Sequence, residues 1–587
     1  MNTKRKIRLI IPATVIVLLI VSGFAMVKRG ITLSPGYPGE GDVFQSGVRW
    51  EPFTQPLPIP VSKEPTAPFE FQCSLPVFDG QQPAKFYEVR TRKGTAEIVP
   101  GFQTEIWGYD GIYPGSLLKS RHNEPAIIRF YNDLSETMTI PHLHGGHQTA
   151  QSDGVPTVDH QMIPPGEFRD FCYPNVAPIE PSTRKQEMSD YPSTLWYHDH
   201  AHAPGSPKGV TGRNVYHGLA GFHLTRDELE ETLIRDGVLP SDSFDIPLAI
   251  QDRALDTQGQ LIYNPEAVNY DGVLGDIPVV NGKAQPYLEV ERRKYRFRIL
   301  NGSTARFIQL KLTAGEFIQI GQDSWLLGEA VTPSASDETG TRTGEIRLTP
   351  AERADVVIDF RNAPDEMFLQ NILYQENGRK PDEVVEPGTP LIKFVVKGAP
   401  VENDATIEIG TPLRPHVRIM PEEIIRTRHF KFERNNGQWA INGRFYDHDR
   451  VEANPMVGTA ERWILETAGG WAHPIHIHLE AHQIQSFQNR EMDPQERFKK
   501  DTVRLQPGET AEIFIKARTF PGKFVFHCHN NEHEDFAMMF RWDVVEEEGL
   551  LEAKTVDKAQ IAPGEPPLPS IGWSSPGAAA AGHGAHH

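Results

Sequence analysis

Cysteine is almost missing from this chain: three occur in 587 residues, Cys73, Cys172 and Cys528. A disulfide-dense scaffold is excluded. Positive charge is short too, with 59 Lys and Arg against 78 Asp and Glu, a formal net charge of −19. Six of those bases lie in the first 29 residues, where no acid occurs, so the rest of the chain is more acidic still. Such a surface repels phosphate, and a nucleic-acid partner is not expected. Methionine is sparse and scattered, 11 in all, with only Met538 and Met539 adjacent. A long apolar run occurs once, at the amino terminus. With 38% hydrophobic and 23% charged residues, the bulk is neither a multi-span membrane protein nor a disordered chain. Between His223 and His416 there is no histidine and no cysteine, so the middle of the chain is silent for soft-metal chemistry.

What the chain has in quantity is punctuation. Gly and Pro number 49 each, which favours many short strands over long helices. Short β-type runs are Ala126–Tyr131, Tyr295–Leu300, Ala354–Phe360, Leu391–Val396, Arg462–Glu466, Ala511–Lys516, Phe524–His529 and Met539–Val545. The clearest helical stretch is 226–235, RDELEETLIR. Three all-β domains of roughly 150 residues fit this pattern better than one large sheet. The expected division is a lead-in at 30–66, domains at 67–225, 226–405 and 406–550, and a Pro/Gly/Ala-rich tail at 551–587 whose histidines read as bland.

At the amino terminus Lys4, Arg5, Lys6 and Arg8 precede nineteen uncharged residues, Leu9–Val27, followed by Lys28 and Arg29. A helix of that length is roughly 28 Å long, close to the thickness of a bilayer core. Residues 1–29 read as an uncleaved membrane anchor, a signal segment cleaved after Ala25, or a buried helix of the fold. The heavier basic flank precedes the run, which puts the body outside the cytoplasm. That compartment permits a Cys73–Cys172 disulfide; two buried free thiols are the alternative.

The 23 histidines are the anomaly. They gather in four clusters: Pro-His142-Leu-His144-Gly-Gly-His147, Trp-Tyr-His198-Asp-His200-Ala-His202, His473-Pro-Ile-His476-Ile-His478, and Phe-His527-Cys528-His529 followed by His533, Met538 and Met539. Each contains His-x-His in a β context. Residues i and i+2 of a strand share a face, so each pair can serve neighbouring metal ions or one shared ion. In the fourth cluster His527 and His529 face one way and Cys528 the other. A thiolate with two imidazoles and a weak thioether makes a blue-copper electron-transfer site. Candidate partners of Cys528 are His533, Met538 and His473, which leaves His527 and His529 to a second site on the opposite face.

These clusters, in this order, resemble the signature of the multicopper oxidases of the three-domain, laccase-like type. PLPIP, GYDGIYPG, SDGVP, NVYHGLAGFHL and LTPAERADVVIDF look like the bacterial branch that includes spore-coat laccases, bilirubin oxidases and phenoxazinone synthases. The resemblance covers roughly residues 50–545. It implies an all-β fold of three cupredoxin-like Greek-key domains, the second without copper ligands. It implies four copper ions: His473, Cys528, His533 and Met538 on type 1 copper, His142 and His476 on type 2, and His144, His198, His200, His478, His527 and His529 on the type 3 pair. It implies oxidation of a phenol or aromatic amine coupled to reduction of O₂ to water, with Cys528 passing electrons through His527 or His529. Glu534 and Asp153 match acids that supply protons in similar enzymes. A surface carboxylate and a turn-forming Asp-Gly are the plainer readings of those two. His147, His202, His217 and His482 lie near ligands and are either support for them or ordinary buried histidines. Alternative donors are bilirubin, Mn(II), Fe(II) and Cu(I); the remote alternative is a copper-binding protein without turnover.

Overall fold

The structure, a computed structural model, describes residues 36–66, 72–73, 82–156, 162–202, 210–337 and 339–546. The amino-terminal run 9–27 and the tail from 547 lie outside the described residues. Among the described residues no helix is long and apolar enough to cross a membrane.

The first part of the chain forms β1 (Lys85–Ala96), β2 (Thr104–Tyr109), β3 (Gly115–Arg121), β4 (Ala126–Asn132), β5 (Pro141–His144), β6 (Phe168–Tyr173), β7 (Thr194–Asp199), α1 (Thr211–His217) and β8 (Ala220–Arg226). They make two four-stranded sheets, β2-β1-β4-β6 and β3-β8-β7-β5, closed over a core that includes Tyr87, Val89, Tyr109, Phe130, Phe171 and Tyr197. The helix expected over 226–235 is α2 (Glu228–Arg235), capped by the Asp227 side chain, which accepts from Glu230 N.

The middle part is a seven-stranded sheet containing β9 (Asp245–Arg253), β10 (Lys294–Asn301) and β11 (Arg353–Asp359), packed against a five-stranded one. Its core includes Phe297, Ile299, Val356, Phe360 and Phe394. Residues 36–66 lie along this part: Val43–Phe44 pairs in parallel with Leu274–Gly275, and Tyr37 and Leu57 sit in the core.

The third part supplies β12 (Ile424–Asn435), β13 (Gln438–Ile441), β14 (Ala460–Thr467), β15 (His473–Ile477), β16 (His482–Phe487), β17 (Thr502–Leu505), β18 (Thr510–Lys516), β19 (Gly522–Cys528), α3 (Asn531–Asp535) and β20 (Met539–Val544). One sheet runs β13-β12-β14-β18-β16 and ends on Lys499–Lys500; the other places β20, β19, β15 and β17 side by side. The second sheet is buried on both faces. Along β19, Phe524, Phe526 and Cys528 enter the core of this domain, whereas Val525 packs with Val155 from the first part. The period-two alternation therefore sends Cys528 and His527 to opposite faces. The architecture is three cupredoxin-like β domains in series.

The strands end sooner than the His-x-His pattern predicts. His198, His476 and His527 lie within strands, but His200, His478 and His529 lie just past the strand ends. At those ends the chain leaves the ladder, and imidazoles from two domains can converge.

Candidate metal centre

The first constellation is built on β15, β19 and α3. His473 Nδ1 lies 3.4 Å from Cys528 Sγ, Cys528 Sγ lies 3.5 Å from His533 Nδ1, and the two Nδ1 atoms are 3.2 Å apart. All three side chains are fully buried. A point equidistant from these corners lies about 2 Å from each, a bonding distance for a first-row metal and imidazole nitrogen. Met538 is buried beside them, and its backbone is tied in: Cys528 N donates to Met538 O and Met538 N to His533 O. His533 is held from behind. Its Nε2 donates to Asp271 O at 3.1 Å, and the Trp439 indole lies on its ring with centroids 3.7 Å apart. Burial drives the His473 imidazole down to about 3 and the Cys528 thiol well above its ordinary value. An apolar cage thus holds neutral nitrogens, and only a cation would draw the thiol into its thiolate form.

The second constellation joins the ends of β5 and β7 to those of β15 and β19. Register sets it: His198 pairs with His142 across β7 and β5, and His476 with His527 across β15 and β19. Eight buried imidazoles meet there, His142, His144, His198 and His200 from the first domain and His476, His478, His527 and His529 from the third. His142 stacks on His478 at 3.9 Å and His144 on His476 at 3.6 Å. Their outer nitrogens are anchored. His142 Nδ1 donates to Asp153 O at 2.5 Å, His198 Nδ1 to Asp199 O at 3.0 Å, and His476 Nδ1 to Asp501 O at 2.8 Å. His478 Nδ1 donates to Asp153 Oδ2 at 2.7 Å and His527 Nδ1 to Cys528 O at 3.1 Å.

The inner nitrogens are bare. Nε2 of His142, His198 and His476, Nδ1 of His144 and both ring nitrogens of His529 are buried without a hydrogen-bond partner. Nε2 of His200 and of His478 each lie 3.2 Å from His527 Nε2. The anchored Nδ1 atoms of His478 and His527 carry the protons, so their Nε2 atoms turn lone pairs on each other, while His200 Nδ1 is itself buried without a hydrogen-bond partner. Orphaned buried polar atoms cost about 1–3 kcal/mol each. A cluster of them repels itself unless cations lie between. Burial, reinforced by neighbouring imidazoles, pushes His142, His144, His198, His476 and His478 well below the ordinary histidine value, His200 to about 4 and His529 to about 3. Protonation is therefore no substitute for a metal. The donor set fits copper: imidazoles throughout, with a thiolate-plus-thioether set next door.

Both sequence-predicted acids border this cluster. Asp153 receives His478 on one oxygen and Gln148 Nε2 on the other at 2.7 Å; burial raises its carboxyl to about 8. Glu534 Oε2 lies 3.2 Å from His527 Nδ1 and Oε1 lies 3.5 Å from His200 Nδ1. Burial alone would raise the Glu534 carboxyl, but the imidazoles of His200 and His527 hold it well below the usual range. Neither acid is a surface group. The four uncertain histidines divide. His147 Nδ1 donates to Leu479 O at 3.3 Å, beside His478 in the chain. His202 packs its ring on Tyr446, and His217 stacks on Trp107 at 4.6 Å while donating to Arg213 O. His482 is buried with neither nitrogen bonded. Cys172 is disulfide-bonded and Cys528 is a buried free thiol; the side chain of Cys73 lies outside the described residues.

Sequence reasoning missed four supporting residues. Asp501 accepts from His144 Nε2 at 3.1 Å and is clamped by Arg353 through two bonds of 2.8 and 2.6 Å. Asp199, between two ligands in His-Asp-His, binds Ile140 N, Ala201 N and Asn214 Nδ2. Asp271 and Arg353 belong to the middle domain, which carries no ligand yet braces both constellations. The acid inside His-Asp-His was a usable signal; Arg353 opens an ordinary strand and Asp501 sits between two strands, and neither gave one.

Fold and site together define a copper oxidoreductase of cupredoxin-like domains. Family profiles described as multicopper oxidase match residues 90–222 and 419–548. The chain is 30% identical to a laccase of Bacillus subtilis over 547 residues, covering 81% of this chain and 99% of that protein. It is 33% identical to a bilirubin oxidase of Albifimbria verrucaria over 531 residues, covering 87% and 82% respectively. The crystal structure of a laccase from Pediococcus acidilactici superposes with a TM-score of 0.68 at 27% identity, covering 87% of this chain and 98% of that one. The chain belongs to the multicopper oxidase family and is an oxidase that takes copper as cofactor and O₂ as acceptor.

Proposed function

We propose that this protein is a laccase-like multicopper oxidase that removes single electrons from phenols or aromatic amines and delivers four of them to O₂, giving water. Four coppers are its complement: one held by His473, Cys528 and His533 with Met538 as the weak fourth donor, and three held by the eight-imidazole cluster, with His142 and His476 on one and the other six on a pair. When bound, copper supplies one-electron chemistry at the first set and multi-electron oxygen chemistry at the second. The observation that carries this reading is the alternation on β19. Cys528 belongs to one donor set while His527 and His529 on either side belong to the other, so one peptide unit is the shortest covalent path between them.

The chain's own groups hold ligands and protons. Asp153, Asp199 and Asp501 accept from the outer nitrogens and fix which nitrogen faces inward. Glu534 and Asp153 stand where protons are consumed and are the relay acids. The phenol reading is favoured over a metal-ion donor by the surroundings of His533. The carboxylate of Asp271, whose backbone carbonyl accepts from His533, is taken by the guanidiniums of Arg379 and Arg434, both at 2.8 Å, and is not free for a cation. The disulfide at Cys172 supports a location outside the cytoplasm.

Metal analysis of the loaded protein with O₂ uptake on a methoxyphenol tests the reading. About four coppers per chain and O₂ consumed without peroxide are expected. One copper or fewer, or no uptake with phenols but uptake with Mn(II), Fe(II) or Cu(I), would overturn it.

A further inference from the structure

Of the two imidazoles of the first constellation, the one on α3 offers no edge to a donor. His533 is fully buried, and its Nε2 is bonded to Asp271 O at 3.1 Å. What covers it is Trp439, ring on ring at 3.7 Å, itself fully buried with Nε1 donating to Tyr270 O. Trp439 meets Trp471 at 5.3 Å, edge to face. Trp471 is only half buried, follows the exposed Gly469 and Gly470, and is the first ring of the series to reach solvent. Three π systems therefore run from the buried ligand to the surface.

Charge surrounds the outer ring. The Arg434 guanidinium lies 4.9 Å from the Trp439 ring and 5.8 Å from that of Trp471, and Arg379 lies 5.5 Å from Trp471. Both arginines pair with Asp271, one on each oxygen. Two guanidiniums share the Asp271 carboxylate, and Asp42 is a second acid acting on Arg379. Arg379 is the outward one of the two: its side chain is 49% exposed, and among the described residues its side-chain hydrogen bond is through Nε alone. Its terminal amino groups face solvent beside Trp471 as a fork suited to a carboxylate or sulfonate.

We propose that the electron donor docks on Trp471 rather than on His533, that it is a planar aromatic bearing an anionic substituent paired with Arg379, and that its electron travels through Trp439. This rests on the oxidase reading above. With copper(II) bound by His473, Cys528 and His533, the phenol would give up one electron to it and its hydroxyl proton to solvent, and would leave as a phenoxyl radical. A flat apolar ring gives stacking area, and the guanidinium gives orientation and selectivity.

The test uses the copper-loaded full chain and a matched pair of methoxyphenols, one with a carboxylate side arm and one with the arm as its amide. Their O-methyl ethers, which cannot lose the hydroxyl proton, report binding by calorimetry without turnover. Arg379→Gln is expected to weaken the carboxylate ether roughly five- to tenfold and to narrow the carboxylate-over-amide preference in kcat/KM by the same factor, with Arg379→Lys recovering part. Trp471→Leu should weaken both ethers, and Trp471→Phe should retain most of the stacking. Trp439→Phe should bind both ethers as before but bleach the type 1 copper more slowly under anaerobic conditions. Unchanged affinities in Trp471→Leu, or an equal loss of carboxylate and amide in Arg379→Gln, would overturn the docking site; unchanged bleaching in Trp439→Phe would overturn the path. A wild-type protein that binds the ethers but oxidises neither phenol overturns the oxidase reading and leaves the docking site standing.

Discussion

Cys528 is where the two constellations touch. Its Sγ belongs to the apolar face of β19, its neighbours to the other face. Cys528→Ser keeps a side chain of similar size but removes the polarizable sulfur. It should abolish the intense visible band and nearly all turnover while circular dichroism shows the β fold intact; a variant that stays blue and active would show the site is misassigned. Glu534 poses a different question, since its two oxygens face His527 and His200. Glu534→Gln preserves shape and one acceptor but removes the titrating proton. Reoxidation by O₂ should slow by about 10²- to 10⁴-fold, the range for a lost acid catalyst, while anaerobic reduction by substrate is nearly unchanged. Slowed reduction with normal reoxidation would remove Glu534 from the relay. Both residues were legible before the structure because their chemistry is local: a thiol between two imidazoles, an acid next to a ligand. Asp501 and Arg353 were not, because their roles arise only when strands from distant parts of the chain converge.

At the scale of elements, α3 is a one-turn helix carrying His533 and Glu534, and a single side chain starts it. Asn530 Oδ1 accepts from Glu532 N and His533 N at 3.2 and 3.4 Å, while its Nδ2 donates to Asp271 O at 3.0 Å. The same amide thus caps the helix and ties it to the middle domain. Asn530→Ala should cost about 0.5–2 kcal/mol from the cap and let His533 drift, read as a lower Tm and a shifted, weakened visible band. A lower Tm with an unmoved band would restrict Asn530 to the cap. Most strand positions were readable from apolar runs to within a residue or two, as at Ala126–Asn132 and Thr510–Lys516, but the run Leu391–Val396 is only the end of a strand that spans Glu383–Lys397. The ends within the histidine clusters were not, because nothing in His-x-His says where a ladder stops, and the ends at Asp199, Ile477 and Cys528 are what let two domains share a cluster.

For the molecule as a whole, the buried imidazoles make the copper-free form acid-sensitive. An unfolded histidine titrates near 6.5, but the folded values are about 3 at His473 and His529 and about 4 at His200. A folded value below the unfolded one means that the unfolded chain binds more protons as pH falls, so stability is lost from about pH 6.5 downward, toward pH 3–4. The Tm of the copper-free protein should drop steeply across that window and that of the loaded protein less so; parallel curves would mean that these groups do not control acid stability.

Eight imidazoles shared between the first and third domains also impose an order of events. His142 to His200 emerge from the ribosome long before His473 to Met538, so the early part of the chain carries half a cluster with nothing to close it. A chain ending at residue 405 is expected to retain no blue colour and to bind copper only weakly, through four imidazoles that lack their opposite numbers. Maturation is therefore a last act: the cofactor can be sealed in only after residues 473–538 have been made and the two halves of the cluster have met.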